Sequence, residues 1–228
     1  MEKNANTEAV VDVVIPAQNC ASLLGPLIAS LPTRFFRSVI VVAYGSRDST
    51  AQVGRDAGAV VLRQSRGGYG AACKRALAHL EALPTPPSAV VFLPPDQTVD
   101  VQDLSRLISP IVDDNAELVL GAREKGAPER GYVRLSRRAI SLVYRHRLDD
   151  IGPFRAIRFP ALVALSLGED GEAWNVEMIV KALAFGLHVV EVPVSGWPAL
   201  RLRKRALRES LRTTGRAFYQ ILRYSTTR

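Results

Sequence analysis

The chain has 228 residues, a formal net charge of +8 and a sequence pI of about 9.9. Its 47 % hydrophobic and 23 % charged residues are typical of a soluble globular protein. Two cysteines exclude a disulfide framework, and the polar start and the lack of long apolar runs exclude a signal peptide and a membrane-spanning helix. We therefore expect a cytoplasmic protein, soluble or peripheral to the inner face of the membrane, with anionic partners.

Short apolar runs alternate with helical patterns in the first half of the chain. The predicted strands are Val10–Ile15, Val39–Val42, Val60–Arg63, Ala89–Leu93 and Leu118–Ala122, and the predicted helices are Ala21–Ser30, a segment ending at Ala57, Ala71–Ala82 and a segment near Val101–Val112. This alternation predicts an α/β fold with a doubly wound, mostly parallel sheet and helices on both faces.

The second half of the chain is less regular. It predicts a loop at Glu124–Gly131, a helix at Val133–Arg147, a short strand at Ile151–Ile157, a helix at Trp174–Ala184 and a strand at Val189–Val194. From these ranges we expect one α/β domain over residues 1–200, followed by a basic helix over residues 201–228.

The run Ala89–Leu93 is apolar throughout, which predicts a central strand that is buried on both faces. Pro94 and Pro95 end it, and Asp96 follows at its carboxyl end. Ligands of open α/β sheets bind outside the carboxyl ends of the strands, where a carboxylate suits a hard cation. Asp96 is therefore a candidate metal ligand; the alternative is that it caps the next helix.

Several short motifs follow one another along the chain. They are Val13-Val14-Ile15-Pro16-Ala17-Gln18-Asn19, Gly45-Ser46-Arg47-Asp48-Ser49-Thr50, Arg66-Gly67-Gly68-Tyr69-Gly70-Ala71-Ala72, Leu120-Gly121-Ala122-Arg123, Asp150-Ile151-Gly152-Pro153-Phe154-Arg155-Ala156-Ile157, Trp174-Asn175-Val176-Glu177-Met178 and Val190-Glu191-Val192-Pro193-Val194. In this order and spacing the chain resembles the family 2 glycosyltransferases of the GT-A fold, and among them the bacterial dolichyl-phosphate-mannose-synthase-like branch.

The resemblance implies transfer of a sugar from a nucleotide diphosphate to a hydroxyl or lipid-phosphate acceptor, usually with Mg²⁺ or Mn²⁺. It implies Asp96 as metal ligand, Glu177 as acceptor-side base and Asp150 as a residue that positions the acceptor. The donor contacts that it implies are Pro16, Ala17, Asn19, Ala43, Gly45, Arg66, Gly68, Tyr69, Gly70, Arg123, Arg155 and Lys204.

The sequence departs from the family pattern where acids are expected. The Asp-x-Asp positions hold Pro94, Pro95 and Asp96, and Ala43 and Cys20 replace two further acids near the base. A charge-assisted hydrogen bond contributes roughly 1.5–3 kcal/mol, so losing two base contacts lowers nucleotide affinity on the order of a hundredfold. The expected donor site is therefore unusual.

Each candidate also has a structural interpretation. The Arg66–Gly70 loop offers backbone amides to a phosphate at a helix N-terminus, or is merely a glycine loop. Arg123 and Arg155 pair with phosphate or with surface acids. Glu177 is a base or a solvated helix carboxylate, and Asp150 positions the acceptor or caps a turn.

The tail carries many basic residues and one acid, Glu209. Leu207, Leu211, Phe218 and Leu222 form an apolar stripe with arginines beside it, a pattern that suits an anionic membrane surface. The alternative is a helix packed on its own domain or on a second subunit, so a homo-oligomer stays open. Nucleic acid is a weaker candidate because the tail's aromatic residues form no evident stacking platform.

Three functional hypotheses follow from these patterns. The first is a glycosyltransferase with an atypical metal site that binds a nucleotide sugar or another diphosphate. The second is a non-catalytic relative that binds a ligand or partner. The third is an enzyme repurposed for a non-nucleotide diphosphate, such as a prenyl diphosphate. We favour the first, although a fold by itself does not determine a function.

Overall fold

The computed structural model describes residues 9–95, 100–123, 131–195 and 207–225, with the backbone alone for residues 101 and 207–210. The strands are β1 (Val11–Ala17), β2 (Ser38–Tyr44), β3 (Val60–Gln64), β4 (Ala89–Phe92), β5 (Leu118–Ala122), β6 (Arg155–Arg158) and β7 (Val189–Pro193). The helices are α1 (Ala21–Ser30), α2 (Thr50–Asp56), α3 (Tyr69–Glu81), α4 (Val101–Val112), α5 (Gly131–Tyr144), α6 (Phe159–Ala164), α7 (Trp174–Ala184) and α8 (Leu207–Arg223).

In the described part of the chain, the strands form one seven-stranded sheet with the order β3-β2-β1-β4-β6-β5-β7. β6 runs antiparallel to both β4 and β5, and the other neighbouring strands are parallel. The α/β class and the mostly parallel sheet predicted from the alternation are therefore confirmed. The antiparallel direction of β6 was not predicted, because a short apolar run carries no information about strand direction.

The core lies in two layers, one on each face of the sheet. Val14 of β1 faces one layer, while Val13 and Ile15 face the other, because successive side chains of a strand alternate between faces. Leu24 of α1 and Leu104 of α4 pack in the second layer, and α3, α5, α7 and α8 pack over the first. Helices thus cover both faces, as predicted.

Most strand limits shift by one or two residues from the sequence prediction, and three differences are larger or change an element. β6 covers only Arg155–Arg158, since the residues before it form a loop rather than the first half of a strand. α3 begins at Tyr69, two residues before the predicted start. The six-residue helix α6 was missed because so short a segment shows little helical periodicity.

The topology brings one set of strand ends together. β1, β2, β3 and β4 are parallel neighbours, so their carboxyl ends lie at the same edge of the sheet. Leu93 continues the pairing by one residue, with its N–H donating to the carbonyl of Val14 at 2.9 Å. Pro94 and Pro95 therefore leave the sheet beside the end of β1.

Candidate active site

A cleft of about 420 Å³, called here the main cleft, opens at the edge where β1 and β2 end. Its walls come from these two strand ends, the loop before α3, the loop between α6 and α7 (the α6–α7 loop, residues 165–173) and α8. The lining residues are Gln18, Tyr44, Gly67, Gly68, Tyr69, Asp170, Gly171, Glu172, Ala173, Arg212, Thr213 and Arg216. Its position at the carboxyl ends of the strands makes it the candidate active site.

The main cleft combines aromatic, amide and cationic side chains with two acids, Asp170 and Glu172. Tyr44 and Tyr69 bring aromatic rings to the lining, and Gln18 supplies both a hydrogen-bond donor and an acceptor. Arg212 and Arg216 bring guanidinium groups from α8 to the lining, and guanidinium pairs well with phosphate oxygens. The Arg216 guanidinium also pairs with the Glu169 carboxylate at 3.3 Å. These are suitable groups for a ligand with a flat ring and a diphosphate.

Small residues shape the floor beside Gln18. Ala17 and Ala43 are register partners at the ends of β1 and β2, and both are buried. Gly45 has a φ of +54°, and a Cβ atom there would lie 3.1 Å from the side-chain nitrogen of Gln18. Gly45 thus gives room to the Gln18 amide. Pro16 lies buried within β1.

Asn19 lies in the turn that follows β1. It has a φ of +52°, a left-handed conformation that asparagine tolerates better than most residues. Its side-chain oxygen accepts the N–H of Arg47 at 2.9 Å, and its own N–H donates to the Ser46 hydroxyl at 3.2 Å. These bonds tie the turn after β1 to the turn after β2 at the mouth of the main cleft.

The glycines just before and at the start of α3 let the α6–α7 loop approach closely. The N–H groups of Gly68 and Ala71 both donate to the carbonyl of Asp170 at 3.1 Å. A Cβ atom on Gly70 would lie 2.3 Å from the carbonyl oxygen of Glu169. The amides of Gly68 and Ala71 are therefore occupied by the α6–α7 loop rather than available for a phosphate.

Trp174 anchors the start of α7 behind the main cleft. Its buried ring packs edge-on against Tyr69 of α3, with centroids 6.1 Å apart, and against Phe92 of β4 at 5.0 Å. Burial, followed by the nearby thiol of Cys73, raises the pKa of Tyr69. Burial also raises the pKa of Cys73, which keeps that thiol protonated and unsuited to nucleophilic attack.

Glu177 of α7 fixes the position of the α6–α7 loop through hydrogen bonds to its backbone. Its buried carboxylate accepts the N–H of Gly168 at 3.0 and 3.1 Å and the N–H of Glu169 at 2.8 Å. It also pairs at 3.0 Å with Lys181, whose ammonium donates to the carbonyls of residues 165 and 166. The expectation of a solvated carboxylate is wrong because Glu177 is buried, and these bonds favour a positioning role over that of a free base.

Asp150 and Arg123 form a buried ion pair. The carboxylate of Asp150 accepts Arg123 Nε at 2.5 Å, a second guanidinium N–H at 3.0 Å and the N–H of Ile151 at 2.7 Å. Glu191 of β7 accepts the N–H groups of Asp149 and Asp150, and burial raises its pKa. Arg123 is thus paired with a buried acid, Asp150.

Arg155 lies inside the core at the start of β6. Its guanidinium donates to the carbonyls of Asn175 at 3.0 Å, Ile151 at 3.1 Å and Gly152. Burial lowers the pKa of its guanidinium group. Because the side chain is fully buried and hydrogen-bonded to backbone, its contacts favour a structural role over phosphate binding.

The remaining predicted residues lie at the rim or outside the described residues. Arg66 is exposed beside Gly67 of the main cleft, and its carbonyl accepts the Gln64 side-chain amide at 2.8 Å. Asp96 and Lys204 lie outside the described residues. Within the described ranges, no group of three or more His, Cys, Asp or Glu side chains could hold a metal ion.

Sequence reasoning missed part of the lining. It treated Arg212 and Arg216 only as part of the basic tail, and it gave no role to Gln18, Tyr44 or the α6–α7 loop. The arginine spacing of four residues was visible in the sequence. What it could not show is that α8 folds back over the strand ends, since that depends on tertiary packing.

Residues 12–164 match the family described as Glycosyl transferase family 2. The chain belongs to this family. It is 34 % identical over 197 residues to an uncharacterized glycosyltransferase of Mycobacterium bovis, covering 82 % of this chain and 85 % of that one. It is 27 % identical over 201 residues to the glycosyltransferase AglJ of Haloferax volcanii, covering 84 % of this chain and 64 % of the relative.

Solved structures of similar fold support the architecture of this family 2 member. Glucosyl-3-phosphoglycerate synthase from Mycobacterium tuberculosis, solved with Mn²⁺, uridine diphosphate and phosphoglyceric acid, superposes with a TM-score of 0.81. The match covers 97 % of this chain and 80 % of the synthase at 19 % identity. The fold is therefore that of the GT-A glycosyltransferases.

Proposed function

We propose that this protein binds a nucleotide diphosphate sugar in the main cleft and transfers the sugar to a hydroxyl or lipid-phosphate acceptor. The observation that carries the proposal is the lining of the main cleft, where two tyrosines and an amide share one cleft with two arginines of α8 at the carboxyl ends of β1 and β2. Membership of glycosyl transferase family 2 supports the same conclusion. The finer likeness to the dolichyl-phosphate-mannose-synthase-like branch remains part of the proposal.

The base of the donor is proposed to stack on Tyr44 beside Gln18. In this arrangement the Gln18 amide supplies the polar contact that an aspartate at position 43 would otherwise make. The diphosphate then points toward Arg212 and Arg216, whose charges favour an anion in the cleft. Arg66 at the rim is positioned to add a further charge from outside.

Transfer breaks the bond between the anomeric carbon and the donor phosphate oxygen and forms a bond to the acceptor oxygen. The bond electrons leave with the nucleotide diphosphate, and Arg212 and Arg216 are proposed to stabilise that charge. A hydroxyl acceptor also loses its proton to a base. Glu177 and Asp150 contribute by position, because each holds a loop with a carboxylate that is already hydrogen-bonded.

A divalent cation, Mg²⁺ or Mn²⁺, belongs to the proposal with Asp96 as its ligand. The structural neighbour from Mycobacterium tuberculosis is in complex with Mn²⁺ and uridine diphosphate. When bound, such a cation offsets charge on a leaving diphosphate. The described side chains do not by themselves supply a ligand set, so the steps above rest on the arginines.

A second candidate is a relative that binds a ligand without catalysis, or an enzyme acting on a non-nucleotide diphosphate. The occupied amides of Gly68 and Ala71 and the buried Arg155 favour it, since these groups are not available to a nucleotide donor. The main cleft suits either candidate. The identity of the ligand therefore distinguishes them.

Titration calorimetry with a panel of nucleotide diphosphate sugars, with and without Mn²⁺, tests the proposal. We expect one of them to bind, and Tyr44→Ala to weaken that binding roughly tenfold through lost stacking. Phe185→Ala, at an exposed position outside the main cleft, serves as the matched control. Binding of a prenyl diphosphate with no binding of any nucleotide sugar would instead favour a protein that acts on a non-nucleotide diphosphate.

A further inference from the structure

The outward face of α8 carries large apolar side chains that contact solvent. Leu211, Tyr219 and Leu222 are 63 %, 57 % and 62 % exposed, and Phe218 is half-buried beside them. Leu211, Phe218 and Leu222 are separated by seven and four residues, which places them on one face of a helix. We call these four residues the α8 outer stripe.

The opposite face of α8 is held against the domain. Ala217, Gln220 and Ile221 are buried, and the carbonyl of Ile221 accepts the Tyr144 hydroxyl of α5 at 3.1 Å. The side-chain amide of Gln220 donates to the Glu169 carboxylate at 2.7 Å. Because these contacts fix the rotation of the helix, the outer stripe cannot turn inward without breaking them. The helix is thus packed on its own domain and still presents an apolar face.

The surroundings of the outer stripe are basic. Arg223 is exposed on α8 next to Leu222, and α5, which packs beside α8, adds exposed Arg134 and Arg138. α5 also exposes Leu142 to 83 %. α5 has three arginines and no acid in its sequence, and the whole chain has a net charge of +8. The surface therefore joins apolar side chains to positive charge.

We propose that the α8 outer stripe docks on a lipid bilayer surface that carries anionic headgroups. A basic amphipathic helix binds such a surface by burying its apolar side chains about 5–10 Å deep while its cations meet the headgroups. A second copy of this chain fits less well, because a two-fold contact would bring the same arginines together. No described helix is long and apolar enough to cross a bilayer, so the contact is interfacial.

Docking in this way has a consequence for the proposed function. Arg212 and Arg216 line the main cleft from the same helix that carries the outer stripe. A bilayer that engages α8 therefore holds the main cleft close to the membrane surface. The inference itself concerns lipid binding, and it stands or falls independently of whether the cleft takes a nucleotide sugar.

Vesicle flotation with the full chain tests the proposal. We expect the protein to float with phosphatidylcholine vesicles that contain phosphatidylglycerol, and to bind much less to phosphatidylcholine alone. The double variant Leu211→Ser/Leu222→Ser should lose roughly tenfold in partitioning, because two apolar side chains no longer enter the interface. Leu23→Ser, at an exposed position of α1 in the other layer of the sheet, is the matched control and should bind as the wild type does.

Three results would overturn the proposal. They are flotation that is equal with and without phosphatidylglycerol, flotation that the double variant retains in full, and no flotation of the wild type at all. Light scattering adds a fourth: a wild-type dimer that the double variant converts to a monomer would assign the stripe to a second copy. Since both leucines are exposed, circular dichroism should show an unchanged fold in the double variant.

Discussion

The carboxylate of Glu177 lies 3.0 Å from the ammonium of Lys181, one turn further along α7, and both side chains are buried. The carboxylate accepts backbone N–H groups from the α6–α7 loop, and the ammonium donates to backbone carbonyls of the same loop. The two charges thus compensate each other and together fix a wall of the main cleft. This explains how α7 remains stable with a buried glutamate and a buried lysine.

Removing one member of this pair should destabilise the protein strongly. We expect Glu177→Gln to lower the free energy of unfolding by about 3 kcal/mol or more, because Lys181 stays buried without its partner. The double variant Glu177→Gln/Lys181→Met should be less destabilised than the sum of the single variants. Urea denaturation of all four proteins measures this coupling. A Glu177→Gln variant with wild-type stability and lost transferase activity would instead support the role of base.

The close approach of the α6–α7 loop to α3 predicts a steric effect at Gly70. Gly70→Ala places a methyl group against the Glu169 carbonyl and the Trp174 side chain, so we expect a loss of about 1–3 kcal/mol. Gly171→Ala, in the same loop, meets nothing within 4 Å and should be nearly neutral. Thermal denaturation compares the two. Equal stability of both variants would contradict the packing described here.

The arginines of the main cleft predict a charge-dependent affinity for diphosphates. Arg212→Ala should weaken binding of the nucleotide diphosphate donor roughly tenfold, the loss of one charge-assisted interaction. Arg55→Ala, on the exposed face of α2, removes the same charge elsewhere and should leave the affinity unchanged. Calorimetry at constant ionic strength separates the two variants. Similar losses in both would show that net charge, rather than the cleft, attracts the ligand.

The position of Asp96 just past β4 predicts a metal effect. If Asp96 is a ligand, Mn²⁺ should tighten donor binding by the wild type, and Asp96→Ala should remove that enhancement while leaving metal-free binding intact. Asp100→Ala is the control, because the Asp100 carboxylate caps α4 by accepting the Gln102 N–H at 2.9 Å. An enhancement that survives in Asp96→Ala would assign the cation to other ligands.

The hydrogen bonds of Asp48 predict that the free energy of unfolding depends on pH. Its carboxylate accepts the Thr50 hydroxyl and the N–H groups of Thr50 and Ala21, and chiefly the hydroxyl bond lowers its pKa below the ordinary 3.8. Because its pKa is lower in the folded than in the unfolded state, ionised Asp48 stabilises the protein at pH values above the unfolded-state pKa. This contribution to stability is lost as the pH falls through the folded-state pKa.

Asp48→Asn should therefore be slightly less stable than the wild type at neutral pH, by a small margin because the carboxylate is exposed and solvent screens its charge. The difference should shrink below about pH 4, where the wild-type carboxyl becomes protonated. Denaturant unfolding between pH 7 and pH 3 measures it. A gap that is constant over this range would show that charge has no part in the effect.

Most helices and strands could be predicted because hydrophobic periodicity and capping residues lie within the elements themselves. The continuous apolar run at Ala89 and the alternation of strands with helices gave the α/β class, and the limits of α1, α4, α7 and β5 agree with the sequence prediction. The direction of β6 in the sheet could not be predicted from the sequence. Its antiparallel pairing with β4 and β5 depends on how the long connection before it returns to the sheet.

The sequence by itself determined the class of fold, the order of its strands and helices along the chain, and the positive charge of α5 and α8, since propensity, periodicity and composition are properties of neighbouring residues. Only the tertiary structure decided which polar side chains and backbone amides are already hydrogen-bonded within the protein. Arg155 and Glu177 read as site residues in the sequence, but the fold buries both among backbone groups, while α8 brings Arg212 to the main cleft. Burial and long-range hydrogen bonding join residues far apart in the chain, and no local pattern specifies them.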